Sequence, residues 1–339
     1  MVVLSLFDGI SCGQLALTNL GIKIDKYYAS EIDKNAIKIT NKNFPNTIHV
    51  GDIEKITADN IKSMDKIDLI LAGSPCQGFS RAGLGLNFKD HRSKLFFKFV
   101  EILKWVKEFN NADVNFLLEN VKMKKEWENV ISEYVGVKAI EINSKLLTAQ
   151  NRSRLYWTNI EGVEVPKDKD IKLIDILDNV ELENYIKIDN LKICKSISNN
   201  SINLVSVVDG EVRIKQATRQ GYIVANIGDG INLSFPLSKS RRGRVIKGKS
   251  NCLDTQCDVC VYVNNSIRRF TLNEMEKLQG LPVGYTLHDE VSVRSRMKAI
   301  GNGWTIDVIE HILKNINRTT IEIEIVKDKY NNDQLKFCI

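Results

Sequence analysis

Three groups of residues in this 339-residue chain have types and spacing that could do chemistry. Cys76 lies in Gly73-Ser74-Pro75-Cys76-Gln77-Gly78-Phe79-Ser80, behind a rigid proline and between glycines, a setting that favours exposure over packing. A free thiol with a pKa of about 8.5 is only about 3% thiolate at pH 7, so a nucleophile there needs nearby positive charge or helix N-terminal amides. Glu119 ends the apolar run Phe116-Leu117-Leu118 and, shielded from water, would be able to donate a proton. In Gln150-Asn151-Arg152-Ser153-Arg154, two guanidinium groups at alternate positions point the same way on an extended segment. They could hold a phosphate or a substrate carbonyl.

The third group surrounds Phe7-Asp8-Gly9-Ile10-Ser11-Cys12-Gly13. Gly9-x-Ser11-x-Gly13 also spells a serine hydrolase elbow, but that fold builds several strands before its elbow and only ten residues precede Ser11. A dinucleotide turn would want a third glycine, which is missing. Glu31 follows Gly9 by 22 residues, near the spacing at which a carboxylate accepts from ribose hydroxyls, and Asp52 stands at the end of the next apolar run. Two carboxylates would repel a phosphate. They suit a phosphate-free, positively charged nucleoside such as S-adenosylmethionine.

These residues must be positioned by strands and helices. Val2 to Leu6, Lys26 to Ser30, Ile48 to Val50, Ile67 to Ala72, Asn115 to Leu118 and Val137 to Ile142 read as strands separated by amphipathic stretches. The clearest helix runs from Ser93 to Phe109, where Leu95, Phe99, Leu103 and Val106 form one apolar stripe. The pattern predicts an α/β, doubly wound, mostly parallel sheet, with each candidate at the carboxyl edge of a strand. From Glu161 to Tyr262 helical periodicity fades into short Val and Ile runs between turns, the sign of an inserted, smaller β-rich module. Helices return after Arg268: Thr271 and Glu274 make a capping box for a helix ending near Gly280-Leu281-Pro282, and Arg294 to Ile300 and Thr305 to Ile316 flank a Gly301-Asn302-Gly303 turn. The expected division is residues 1–160 with 268–320, an insert at 161–267, and a tail at 321–339.

With 43% hydrophobic and 27% charged residues, disordered and collagen-like chains are excluded. Lys and Arg exceed Asp and Glu by 48 to 42, which permits a polyanionic partner without requiring one. Five cations fall within Ser240 to Lys249, among them Arg241, Arg242, Arg244 and Lys247. Seven cysteines without regular spacing fit a reducing compartment, and the first residues read as a buried strand and not as a signal peptide, so a cytoplasmic protein is expected. Cys252-x4-Cys257-x2-Cys260 lacks a nearby fourth ligand, so no metal is expected. No apolar run is long enough for a membrane span.

Phe7-Asp8-Gly9, Gly73 to Ser80, Glu119-Asn120-Val121, Gln150-x-Arg152-x-Arg154, Arg268-Arg269-Phe270-Thr271 with Leu278-Gln279-Gly280-Leu281-Pro282, and Gly301-Asn302 resemble, in order, the motifs of the cytosine-5 DNA methyltransferases. The resemblance spans residues 1 to about 316, apart from the insert. Leu4 to Gly13, Ala29-Ser30-Glu31 and Trp304 are worded most like the branch containing the mammalian de novo enzymes. Ser11 and Trp304 stand where Gly and Ser are frequent in the family.

The resemblance implies an S-adenosylmethionine-dependent methyltransferase fold with an inserted target-recognition domain, acting on carbon 5 of a flipped cytosine in double-stranded DNA. It implies that Cys76 adds to carbon 6, that Glu119 serves ring nitrogen 3, that Arg152 lies near the ring carbonyl and that Arg154 supports the site. S-adenosylmethionine, leaving as S-adenosylhomocysteine, would lie along Phe7, Asp8, Gly9, Glu31, Ile32, Asp52, Ile53, Pro75, Asn302 and Trp304. Gln77, Ser80, Arg241, Arg242, Arg244 and Lys247 would meet DNA. A cognate restriction endonuclease is the partner expected in a restriction system, a phage or stand-alone role being left open. The competing readings are a transfer RNA methyltransferase, disfavoured because its Cys-Phe-Thr tripeptide is absent, and a noncatalytic DNA-binding relative, disfavoured because Pro75, Cys76 and Glu119 are intact.

Overall fold

A computed structural model describes residues 1–74, 94–253 and 259–316. Its first part is built from β1 (Val2–Leu6), α1 (Cys12–Asn19), β2 (Lys26–Ser30), α2 (Lys34–Asn43), β3 (Ile48–His49), α3 (Ala58–Ser63), β4 (Leu69–Gly73), α4 (Lys94–Phe109), β5 (Asn115–Val121), α5 (Lys125–Val135), β6 (Ile140–Asn143), β7 (Gln150–Asn151) and β8 (Ser153–Thr158). All of these except β7 and the helices form a seven-stranded sheet in the order β3-β2-β1-β4-β5-β8-β6. β1 to β5 run parallel, while β8 is antiparallel to both β5 and β6. The order reverses between β1 and β4, which opens a crevice at their carboxyl ends, where such sheets bind ligands.

Alternation along the strands explains the two layers of core. Val3, Tyr27, Ala29, Leu69, Leu71 and Leu117 face one way and pack with Leu15 and Ala16 of α1 and with a helix late in the chain that contributes Ile309 and Ile312. Their neighbours Leu4, Leu6, Tyr28, Ile70, Phe116 and Leu118 face the other way onto Phe96, Phe99, Leu103 and Val106 of α4. The α4 stripe thus packs on the sheet as its spacing predicts.

The second part is β-rich: β9 (Tyr185–Ile188), β10 (Leu191–Cys194), the short α6 (Asn199–Ile202), β11 (Val205–Val208), β12 (Glu211–Lys215), β13 (Tyr222–Ala225), β14 (Gly230–Asn232), β15 (Val245–Ile246), β16 (Ser250–Asn251), β17 (Val259–Val263) and β18 (Ser266–Arg269). They make a six-stranded sheet, β15-β14-β17-β18-β10-β9, and a three-stranded one, β11-β12-β13, around a separate apolar cluster. β16 instead pairs with β7 and so joins this part to the first.

The chain then returns through α7 (Leu272–Leu278), α8 (Val293–Asn302) and α9 (Ile306–Leu313) to the first core. The Thr271 capping box forms, with Thr271 and Glu274 each satisfying the other's backbone amide. Several boundaries shift from expectation: β5 continues to Val121, β6 begins only at Ile140, and α8 runs through Gly301 and Asn302 and stops only at Gly303. The carbonyls that a helix end leaves orphaned are taken here by side chains, those of Ile300 and Gly303 by Gln279 and those of Gly301 and Gly303 by Arg152.

Candidate active site

At the end of β1, Phe7, Gly9 and Ser11 all have left-handed backbones, with φ of 59°, 61° and 56°. Two non-glycine residues in that region mark a turn held by its surroundings. Glu31, just past β2, accepts from Gly9 N at 2.8 Å and from the amides of Ile32 and Asp33 at 2.7 and 2.8 Å. It therefore fixes the turn while keeping lone-pair capacity for a hydroxyl. The Asp8 carboxylate accepts from Ser11 Oγ and from Tyr27 Oη, and burial pushes its pKa up against those bonds. Asp52 accepts from Glu54 N at 3.0 Å.

The two isoleucines part company. Ile32 is 70% exposed beside Glu31, whereas Ile53 is buried in the core beneath α4. An apolar side chain in solvent next to a ribose-type carboxylate fits a nucleoside whose base would cover it. The donor set of this edge is thus compatible with S-adenosylmethionine.

The adjoining strands bring the second group together. Gly73 of β4 lies opposite Glu119 of β5, and Glu119 lies opposite Tyr156 of β8. Because β8 runs antiparallel, its amino end delivers Arg154 to the carboxyl edge of β5. Arg154 Nε pairs with Glu119 Oε1 at 3.0 Å, and Trp304 Nε1 donates to Glu119 Oε2 at 3.2 Å. Trp304 fits there because β4 ends in glycine: a Cβ on Gly73 would come within 2.8 Å of its Nε1. On the next residue of β5, Asn120 donates to Ser74 Oγ at 2.9 Å, anchoring the chain at the point where it enters Pro75 and Cys76. Pro75, Cys76, Gln77 and Ser80 themselves lie outside the described residues.

Arg152 does not sit as expected. It is 6% exposed, and its Nη atoms donate to Gly301 O at 3.2 Å and Gly303 O at 3.0 Å. Buried carbonyls of the α8 terminus claim the guanidinium that the motif resemblance assigns to a substrate carbonyl, so its contribution is to hold that terminus. Asn302, the last residue of α8, is exposed, and Trp304 follows it.

Three residues not singled out for chemistry complete the cluster. Cys252 Sγ lies 3.5 Å from Arg152 Nη1 and 3.8 Å from Arg154 Nη2. Burial raises its thiol pKa, but the two arginines outweigh burial and bring it below the ordinary value. Cys12, without such neighbours so close, is pushed up to about 12 by burial. Gln150 and Gln279 bond to each other at 3.0 Å, and Gln150 also accepts from Leu253 N at 3.0 Å. Both glutamines stand inside quoted motifs, which was the available signal; nothing local marks Cys252.

The basic stretch also divides. Arg242 is exposed and Arg241 half-buried, with Arg242 Nε donating to Ala217 O at 2.9 Å. Lys247 is exposed but pairs with Asp229 at 2.9 Å. Arg244 is 1% exposed and donates to the carbonyls of Asn232, Ser234 and Phe235 at 2.9–3.1 Å. The expected phosphate contact from Arg244 is therefore withdrawn: its charge is spent on three backbone carbonyls. Among the described residues no His, Cys, Asp and Glu group could hold a metal ion, and no helix is long and apolar enough to cross a membrane.

A doubly wound sheet with a strained turn after β1 and a held carboxylate on β5 defines the Rossmann-like α/β methyltransferase class. The chain belongs to the C-5 cytosine-specific DNA methylase family, whose model matches residues 1–318. It is 36% identical over 191 residues to the orphan methyltransferase M.SPRI of Bacillus phage SPR, covering 52% of this chain and 42% of the relative. It is 29% identical over 343 residues to the type II methyltransferase M.HpaII of Haemophilus parainfluenzae, covering 92% and 88%. The matched regions span less than half the length of the two phage relatives, 42% and 34%. In fold the chain resembles the Entamoeba histolytica methyltransferase EhMeth, with a TM-score of 0.64 and 18% identity over 94% of this chain and 98% of that one. These relatives in sequence are phage and bacterial proteins, which corrects the likeness to the mammalian de novo branch. That likeness rested on two short stretches around strand ends and on the single residue Trp304.

Proposed function

We propose that this chain transfers a methyl group to carbon 5 of cytosine in double-stranded DNA. The observation that carries this reading is the Glu119 carboxylate held by Arg154 and Trp304 on the strand whose next residue, Asn120, bonds to Ser74, the residue preceding Pro75 and Cys76 in sequence.

The site would bind S-adenosylmethionine along the turn at Phe7, Asp8 and Gly9, with Glu31 and Asp52 toward the ribose and amine, and Ile32, Pro75, Asn302 and Trp304 around it, the Ile53 side chain being committed to the core beneath α4. When bound, that donor supplies an electrophilic methyl group and departs as S-adenosylhomocysteine. Asp8 contributes by fixing the turn through Ser11 and Tyr27. Cytosine carbon 5 is a weak nucleophile until charge is pushed into the ring. Cys76 thiolate forms a bond to carbon 6, and Glu119 gives a proton or hydrogen bond to nitrogen 3 as electron density moves to carbon 5. Carbon 5 then bonds to the methyl group, a base takes the carbon 5 proton, that C–H electron pair re-forms the double bond to carbon 6, the carbon 6 to sulfur bond breaks, and Cys76 leaves as thiolate. Arg154 keeps Glu119 aimed, and Arg152 keeps the α8 terminus against the site. The target base must leave the stack to reach this edge.

The β-rich residues 161–267 would form the target-recognition domain, with residues 1–160 and 268–320 the catalytic one. Gln77 and Ser80 would meet DNA from the catalytic side, and Arg241, Arg242 and Lys247 from the other. A cytoplasmic setting and, in a restriction system, a cognate endonuclease accompany this reading, as the type II relatives suggest. An oligonucleotide carrying 5-fluorocytosine tests it. With S-adenosylmethionine present, mass spectrometry should find the oligonucleotide bound covalently to Cys76, and Cys76→Ala should form no adduct while still binding the donor. No adduct with the unaltered protein would refute the mechanism.

A further inference from the structure

The segment after β14 carries an apolar tip that stands largely in solvent. Phe235 is 57% exposed and Leu237 is 82% exposed, the latter the most exposed large apolar side chain among the described residues. Phe235 has φ of 55°, a region costly for a bulky residue, and Ser238 N donates to its carbonyl at 3.1 Å to close a tight turn over Pro236 and Leu237. This turn is held rigidly. Arg244, buried beneath it, ties together the carbonyls of Asn232, Ser234 and Phe235, and Asn232 Oδ1 accepts from Ser234 N at 2.9 Å.

Strain of this kind persists only where the surroundings overdetermine it, and it is spent here on pushing two apolar side chains into water. The flanking charge says what they meet. Lys239 and Arg242 are exposed beside the tip, and the Arg241 guanidinium lies 5.2 Å from the centre of the Phe235 ring. An apolar point ringed by cations complements a polyanion with apolar surface recessed between its charges. Duplex DNA has that pattern: phosphates along the rims of a groove, with base edges and thymine methyl groups at its floor.

Resting on the DNA methyltransferase reading above, we propose that the Phe235-Pro236-Leu237 turn is a base-contacting finger. Leu237 and Phe235 make apolar contact with bases in a groove and contribute sequence preference, while Lys239, Arg241 and Arg242 engage the phosphates beside them. Arg244, a cation that touches no DNA in this arrangement, serves as the strut.

The test compares the unaltered protein with Leu237→Ser, Phe235→Ala and an Arg241→Ala/Arg242→Ala double variant. Unmethylated genomic DNA is treated with each and read by bisulfite sequencing, and binding to a short duplex is titrated over a salt series. Leu237→Ser should lower the ratio of preferred to singly mismatched contexts about tenfold, with the salt dependence of binding unchanged. The arginine pair should keep the context and flatten the slope of log affinity on log salt by about two. Leu237 touches little else, so its variant decides the matter even if Phe235→Ala folds poorly. Unchanged context and rate in Leu237→Ser, in a protein that does methylate DNA, overturns the finger alone. A wild-type protein that methylates no DNA cytosine overturns the transferase reading and the finger with it.

Discussion

Glu119 illustrates how little of a side chain's function is its own chemistry. On the catalytic reading proposed above, a carboxylate on an apolar strand is of use only if it keeps acceptor capacity for substrate and the group does not swing. Arg154 and Trp304 restrain the two oxygens separately, at 3.0 and 3.2 Å. Trp304→Phe keeps the ring but removes the donor, and loss of a hydrogen bond to a charged group is worth about 1.5–3 kcal/mol. Expressed in the transition state, that lowers kcat by about ten- to a hundredfold, with S-adenosylmethionine affinity changed far less. Steady-state kinetics that show only a raised KM would confine Trp304 to donor binding and remove its role at Glu119. Cys252 adds the same lesson: its sulfur, between two arginines, differs from Cys12 because of what stands beside it.

Elements constrain these residues through their closest approaches. Gly13 sits in α1 where an added Cβ would lie 2.4 Å from Leu71 Cδ1 of β4. Alanine normally favours a helix by about 1 kcal/mol over glycine, but overpacking a core costs about 1–3 kcal/mol. Gly13→Ala should therefore lower Tm, and a rise would mean that α1 can slide on the sheet. A second restraint links α2 to α8 through Asp33 and Lys298 at 2.9 Å. The hydrogen bond from Lys298 is the main cause that holds the Asp33 pKa below its usual value. A depressed carboxylate contributes stability above its unfolded pKa and loses it as pH falls through the folded one. The stability gap between the unaltered protein and Lys298→Met should thus be present at pH 7 and close below about pH 4. Both partners are partly exposed, so the gap stays under about 1 kcal/mol. A gap that widened in acid would contradict this assignment.

At the scale of the molecule, the β-rich part is stitched to the sheet from below the site. β16 pairs with β7, one residue before Arg152, and Lys249 donates to the carbonyls of Lys145, Thr148 and Ile171 at 2.6–3.2 Å. The β-rich part is thereby tied to the segment Gln150–Arg154 that carries both arginines. Lys249→Met leaves these carbonyls without their donor, at a cost of about 1–3 kcal/mol. The urea midpoint should fall accordingly at unchanged slope. An unaltered midpoint would show that water replaces the ammonium and that the stitch rests on β7 and β16 alone.

The first six strands, the α4 stripe, the Thr271 capping box and the placing of Glu31 just past β2 were legible in the sequence, because each depends on local periodicity or turn chemistry. Local pattern misplaced the Gly301-Asn302 turn, since the bonds that extend α8 come from Arg152 and Gln279, distant in the chain. It also ran the basic stretch together as one DNA surface. Charge is a property of the residue, but whether a guanidinium meets phosphate or its own backbone depends on burial. Only the tertiary structure decided that Arg244 is a strut, that Arg152 holds a helix end, and that Trp304 reaches across to Glu119, because each of these contacts joins residues with no shared local signal.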